Sequence, residues 1–152
     1  MIKFFFPYKL PPGLREENEI DKSHLFPLIL IQLYSEKKKL PLCFEGLVDS
    51  GADGIVLPKS VFDLLELPTI GKREASGLLK SGECSVSEVG LIIGRSKGNM
   101  LDLGKVEVII SESDQDIPIL IGRNPIFQYF EIIFREYEKK PNLTLIQKQE
   151  IS

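Results

Sequence analysis

Tryptophan is absent, histidine occurs once and cysteine twice in the 152 residues, and each scarcity removes a class of chemistry. A zinc site needs about four imidazole, thiolate or carboxylate ligands at short spacing, and neither His24 nor the two separated cysteines forms such a cluster. No metal and no cofactor is expected. Cys43 and Cys84 each stand in an apolar, strand-like stretch, which fits buried free thiols in a reducing compartment better than a disulfide framework. A cysteine nucleophile needs an adjacent base, but His24 sits beside an apolar run with no surroundings of that kind, and reads as a strand-edge or surface residue. A cationic surplus is also missing: the formal charge is −3, so a phosphate backbone finds no basic surface and nucleic acid is not an expected partner. Nor does any apolar run approach the roughly 20 residues of a membrane-crossing helix. The longest, LFPLILIQLY, is broken by Pro27 and Gln32, and the Phe4–Phe6 cluster is ended by Pro7, Lys9, Pro11 and Pro12, short of a signal-peptide core. No membrane association is expected, and the reading is cytoplasmic.

What remains is an ordinary globular composition, 43% hydrophobic and 27% charged, at a length that buries a core without staples. Short apolar runs rich in β-branched residues fall at 25–34, 40–48, 86–93, 105–110, 117–121, 131–137 and 143–146, separated by turn signals, so the chain is predicted to be mostly β. Two segments break that rule. Pro58 suits the first turn of a short helix through LPKSVFDLLEL, with Val61, Leu64 and Leu65 on one face, and RNPIFQYF spaces Ile126, Phe127 and Phe130 for a second. The charged stretches Glu36–Lys39 and EYEKKPN are read as solvated turns. Residues 1–20 lack clear periodicity and are expected to be an N-terminal arm before a single domain over 21–152.

The densest chemical signal is FEGLVDSGADGIVLP. An apolar strand runs into Asp49, Ser50 and Gly51, and resumes after Asp53 and Gly54. Small residues at Gly51, Ala52 and Gly54 let backbone amides approach a carboxylate held on a tight turn. Asp-Ser-Gly alone is an ordinary turn composition, but the apolar flanks place Asp49 at the end of a buried strand, where an unpaired charge is costly. About seventy residues on, IPILIGRNPIFQYF ends a second strand in Gly122, followed by Arg123 and Asn124 before a short helix.

Together LVDSGAD and LIGRN resemble the retropepsin family of aspartic peptidases, whose subunits carry an apolar-apolar-Asp-(Ser/Thr)-Gly-Ala loop and a later apolar-apolar-Gly-Arg-Asn. The resemblance covers about residues 25 to 137 and points to a free-standing cellular or prokaryotic member rather than a polyprotein segment. It implies a mostly β, retropepsin-like closed β-barrel, the acid protease fold, with one or two short helices and a flap hairpin. By the same resemblance Asp49 is the catalytic carboxylate, Ser50 bonds across to a partner's loop, and Gly51 accepts substrate backbone through its carbonyl. Asp53 lies near substrate and pairs with Arg123. The flap is expected in REASGLLKSGECSVSEVGLIIG, with its tip over Gly77, Leu78, Leu79, Lys80, Ser81 and Gly82. A plain surface hairpin fits that stretch equally well.

One Asp-Ser-Gly supplies one carboxylate, and no second copy occurs in the chain. The resemblance therefore implies an aspartic endopeptidase working as a homodimer on a peptide or protein substrate, each subunit giving one Asp to a shared dyad. Two other readings stay open: a catalytically silent module of the same fold that binds peptides or dimerises, and a generic β-barrel with an accidental motif. The chain is longer than viral retropepsins at both ends and over 94–105. The terminal LTLI is still expected to be able to pair in a dimer interface.

Overall fold

The computed structural model describes residues 1–11, 24–75, 82–112 and 117–151. In chain order the elements are β1 (Lys3–Pro7), β2 (Leu28–Tyr34), β3 (Leu42–Val48), β4 (Ile55–Pro58), α1 (Lys59–Leu64), β5 (Gly71–Ala75) and β6 (Gly82–Ser96), then β7 (Asn99–Ser111), β8 (Ile119–Ile121), α2 (Ile126–Tyr129), β9 (Phe130–Arg135) and β10 (Asn142–Gln147).

Period-two burial explains how these strands close on one another. Ile29, Ile31 and Leu33 of β2, Val89, Leu91 and Ile93 of β6, and Val106, Val108 and Ile110 of β7 are all buried, so each strand turns a branched apolar face to one core. Burying such a side chain stabilises by about 1.5–3 kcal/mol, and a flat sheet would leave these faces wet. The strands instead run in the order β2-β3-β8-β4-β7-β6, with β6 returning to pair with β2. The result is a closed six-stranded barrel. Two of its pairings, β3 with β8 and β4 with β7, are parallel, and both lie next to the loop that follows β3. β5 hangs on the outer edge of β6. The β6–β7 hairpin turns at Lys97 and Gly98 between Ser96 and Asn99. Gly98 has φ 88, the left-handed backbone such a two-residue turn demands.

A second sheet, β1-β10-β9, closes one end. Its inner face brings Phe4, Leu145 and Ile132 into line, and Phe4, Leu143 and Leu145 are at most 1% exposed. Tyr8 extends this attachment: its N–H donates to the Pro141 carbonyl at 2.8 Å and its hydroxyl to Glu136 Oε1 at 3.3 Å. Lys9 and Phe26 then exchange backbone bonds of 3.0 and 2.8 Å, leading the chain toward β2.

Several local expectations need correction. Part of the stretch read as an arm is β1, a paired strand. Leu64 is 52% exposed, whereas Val61 and Leu65 are 7% and 0% exposed; the six-residue α1 presents only its Val61–Leu65 side to the barrel. Pro58 ends β4 with φ −66 and ψ 151 and caps the helix from outside. Phe130 already belongs to β9. Both cysteines are free, but only Cys84 is buried; Cys43 is exposed, because it shares the outward face of β3 with Glu45. No described helix is long and apolar enough to cross a membrane.

Candidate active site

Asp49 follows directly on β3, where the parallel ladder with β8 ends at Val48 and Ile121. That ladder extends one step further, since the Asp49 N–H donates to the Ile121 carbonyl at 3.0 Å. The backbone of the acid is thereby fixed to the barrel wall. The chain then reverses sharply: the Ala52 N–H donates to the Asp49 carbonyl at 3.2 Å, and the Gly51 N–H donates to Asp49 Oδ1 at 2.9 Å. An aspartate bonding its own backbone two residues on is a turn-forming device; here it also sets the direction of the carboxylate. Asp49 is half-buried, and Ser50 and Gly51 are exposed. The Ser50 hydroxyl has no hydrogen bond within the chain among the described residues.

A second loop, after β8, locks the first. The Arg123 N–H donates to the Ala52 carbonyl at 2.9 Å and the Asn124 N–H to the Asp53 carbonyl at 2.8 Å, while Gly54 and Asn124 form a parallel bridge. Between them lies Gly122, which is buried. A Cβ there would stand 2.2 Å from the Gly54 oxygen and 2.6 Å from the Ala52 oxygen, so two backbones meet where only a hydrogen fits. The side chains add a further tie, with Arg123 Nη2 2.5 Å from Asp53 Oδ1. Both groups are largely exposed (59% and 80% of the side chain), so this ion pair contributes at most about 1 kcal/mol. The backbone contacts, not the charges, hold the loops together.

No protein-family model matches the sequence, and no curated protein matches it. Among solved structures, the chain is similar to a retropepsin-like aspartic protease from Rickettsia conorii, at 14% identity and a TM-score of 0.53, over 94% of this chain and 89% of that one. The fold is that of the retropepsin-like aspartic proteases. Weaker similarities extend to EIAV protease complexed with the inhibitor HBY-793 (18% identity, TM-score 0.37, 68% of this chain and 86% of that one). A further one is to the retroviral protease-like domain of Ddi1 from Leishmania major (14%, 0.40, 69% and 80%).

In this retropepsin fold the Asp49 loop borders a cleft of about 750 Å³, a volume that suits extended peptide or small-molecule ligands. The strand registers explain its lining. Val56 is paired with Ile109 on one side and Leu120 on the other, so these three side chains share one face and form an apolar floor. Ile109 is opposite Val86, and Val86 opposite Gly71. Two residues along from Gly71 and from Ile109 stand Arg73 and Glu107, on that same face, and the two form an ion pair across β6. Glu74 and Lys105 complete the far wall.

Sequence reading places Asp49, Gly51, Ala52 and Asp53 at this cleft, and the structure brings Arg123 and Gly122 against them from the second loop. It gives no hint of Val56, Ile109, Leu120 or the charged wall, whose positions depend on registers between strands far apart in sequence. Of the expected flap, Gly77, Leu78, Leu79, Lys80 and Ser81 lie outside the described residues. Gly82 opens β6 opposite Ala75. His24 is exposed. Among the described residues no three His, Cys, Asp or Glu side chains group as metal ligands.

Proposed function

We propose that this chain is one subunit of an aspartic endopeptidase, with Asp49 as its contribution to a dyad completed by a second copy. One observation carries the reading: Asp49 is presented at the edge of a peptide-sized cleft, on a turn immobilised by a second loop through a position that admits no side chain. Such rigidity suits a group that must meet another carboxylate at one point. Two acids that close cannot both ionise, so they share a proton. The ionised one takes a proton from water while the protonated one polarises the scissile carbonyl, and the pair titrates as a unit.

In this reading Ser50, exposed and without a hydrogen-bond partner among the described residues of its own chain, bonds to the facing loop of the second subunit. The backbones of Asp53 and Arg123 steady the loop through their bonds to Asn124 and Ala52, and the β5–β6 hairpin covers the substrate and excludes water. The homodimer does not use β10 for strand pairing between subunits. That strand has β1 on one side and β9 on the other, so a partner strand meets this sheet only at the outer edge of β1 or β9. The terminal LTLI expected to be available for pairing is already occupied.

The test is incubation of the full chain with an unstructured peptide library, with and without an aspartic-peptidase inhibitor, alongside Asp49→Asn and a solution mass measurement. We expect inhibitor-sensitive cleavage by a dimer and none by the variant, whose circular dichroism and mass stay unchanged. Cleavage by clean Asp49→Asn protein removes Asp49 from its role. Peptide binding without cleavage by the unmodified chain replaces the reading with a silent peptide-binding module.

A further inference from the structure

The apolar floor of the cleft continues under an ion pair, and the consequence for substrate choice rests on the peptidase reading of that cleft. The row Leu120, Val56 and Ile109 extends one strand further, because Val86 of β6 stands opposite Ile109. Val56 and Val86 are 5% and 6% exposed, yet neither belongs to the barrel core, as expected of side chains on its outer face. Leu120, Val56 and Ile109 line the cleft, and Val86 does not. What separates Val86 from it is visible in the registers. Arg73 stands opposite Cys84 and Glu107 opposite Glu88, both on the face of Val86, which lies midway between those two positions of β6. The pair that Arg73 and Glu107 form therefore crosses β6 on the diagonal and passes over Val86. Three residues of the floor are open, and the fourth is roofed.

We propose that the Arg73–Glu107 pair sets substrate specificity, restricting the floor to aliphatic side chains of about leucine size and disfavouring large aromatic ones at the same subsite. Neighbouring strands lie about 4.8 Å apart, so uncovering Val86 lengthens the open floor by about that distance. A bulky side chain gains this length only by parting the two charges. Both are at least half exposed, at 56% and 50% of the side chain, so the barrier they set is modest and depends on salt. In a two-fold assembly each subunit brings its own pair, and the restriction holds on both sides of the scissile bond.

The experiment uses the full chain and peptides cut by the unmodified protein, remade with leucine or naphthylalanine scanned through the four positions on each side of the bond. At one or more positions the naphthylalanine:leucine ratio of kcat/KM rises by about two- to five-fold in Arg73→Met and in Glu107→Gln, as expected for loss of an exposed ion pair. It returns to the parent's value in the charge-swapped Arg73→Glu/Glu107→Arg protein, which restores the pair. Raising salt from about 0.05 to 0.5 M lifts the parent's ratio more than that of Glu107→Gln. Lys72→Gln breaks another ion pair of β5, with Glu83 on the opposite face, and leaves the ratio unchanged. Single variants that keep the parent's ratio, a swapped protein that keeps theirs, or an equal rise in Lys72→Gln overturns the proposal. If the unmodified chain cuts no peptide, the peptidase reading fails on its own. The restriction is then read from fluorescence anisotropy of labelled leucine and naphthylalanine peptides: a naphthylalanine preference gained in Glu107→Gln and lost on charge swapping supports the role of the pair, and equal binding, or binding of neither, overturns it.

Discussion

Replacing Gly122 by alanine adds one methyl group, and the structure fixes what it meets. The new carbon would lie 2.2 Å from the Gly54 carbonyl oxygen and 2.6 Å from that of Ala52. Both are backbone atoms, held in place by the bonds from Arg123 and Asn124 to Ala52 and Asp53, so no side-chain rotation relieves the clash. To reach even the 3.0 Å that real Cβ atoms respect, the Asp49 loop must retreat by about 0.8 Å, a strained overpacking that costs about 1–3 kcal/mol. With a urea m value of about 1–3 kcal/mol/M, the midpoint falls by on the order of 1 M, read by far-UV circular dichroism because the chain has no tryptophan. If Asp49 acts as proposed, the loss of turnover is larger in proportion, because a displacement near 1 Å at a positioned acid lowers turnover by about 100-fold. Gly71→Ala is the control: no atom lies within 4 Å of its new Cβ, so stability and turnover stay near the parent. A Gly122→Ala protein with the parent's midpoint and activity would refute the claim that loop-on-loop contact positions Asp49.

Other consequences are equally direct. The Tyr8 phenol is pushed up to about 12 from 10.0, first by desolvation and then by the charge and hydrogen bond of Glu136. The neutral form is thus favoured in the folded state; the associated stability is complete below pH 10 and is lost as pH rises toward 12. Between pH 9 and 11 the urea-derived stability of the parent should fall by about 1 kcal/mol more than that of Tyr8→Phe, and parallel curves would contradict this. For α1, Leu65→Ala should cost about 2–5 kcal/mol, whereas Leu64→Ala stays within about 0.5 kcal/mol. Equal losses in thermal or urea unfolding would mean that the helix is seated differently.

The barrel strands were legible because burial on one face of a strand writes an alternation into consecutive residues, as at Ile29, Ile31 and Leu33. The two loops of the candidate site were legible for a different reason: a tight turn and a backbone-on-backbone contact restrict residue type so strongly that Asp49-Ser50-Gly51 and Gly122-Arg123-Asn124 stand out. β1 was not. KFFFP has no alternation, and what makes it a strand is β10, at the far end of the sequence. The side of α1 that faces inward was misjudged at Leu64, since helical spacing gives a face but not which edge of that face the barrel covers. The Arg73–Glu107 pair was invisible because it depends on the β5–β6 and β6–β7 registers together.

The attachment of β1 also sets the order in which the molecule can finish folding. Ile2 and Gln147 exchange bonds across 145 positions, while all six barrel strands lie between Leu28 and Ile121. During synthesis the barrel can therefore close while Phe4 and Phe6 still wait for Leu143 and Leu145 to emerge. Until they do, Phe4 and Phe6 travel uncovered on a nascent chain, which makes that interval the one most exposed to self-association.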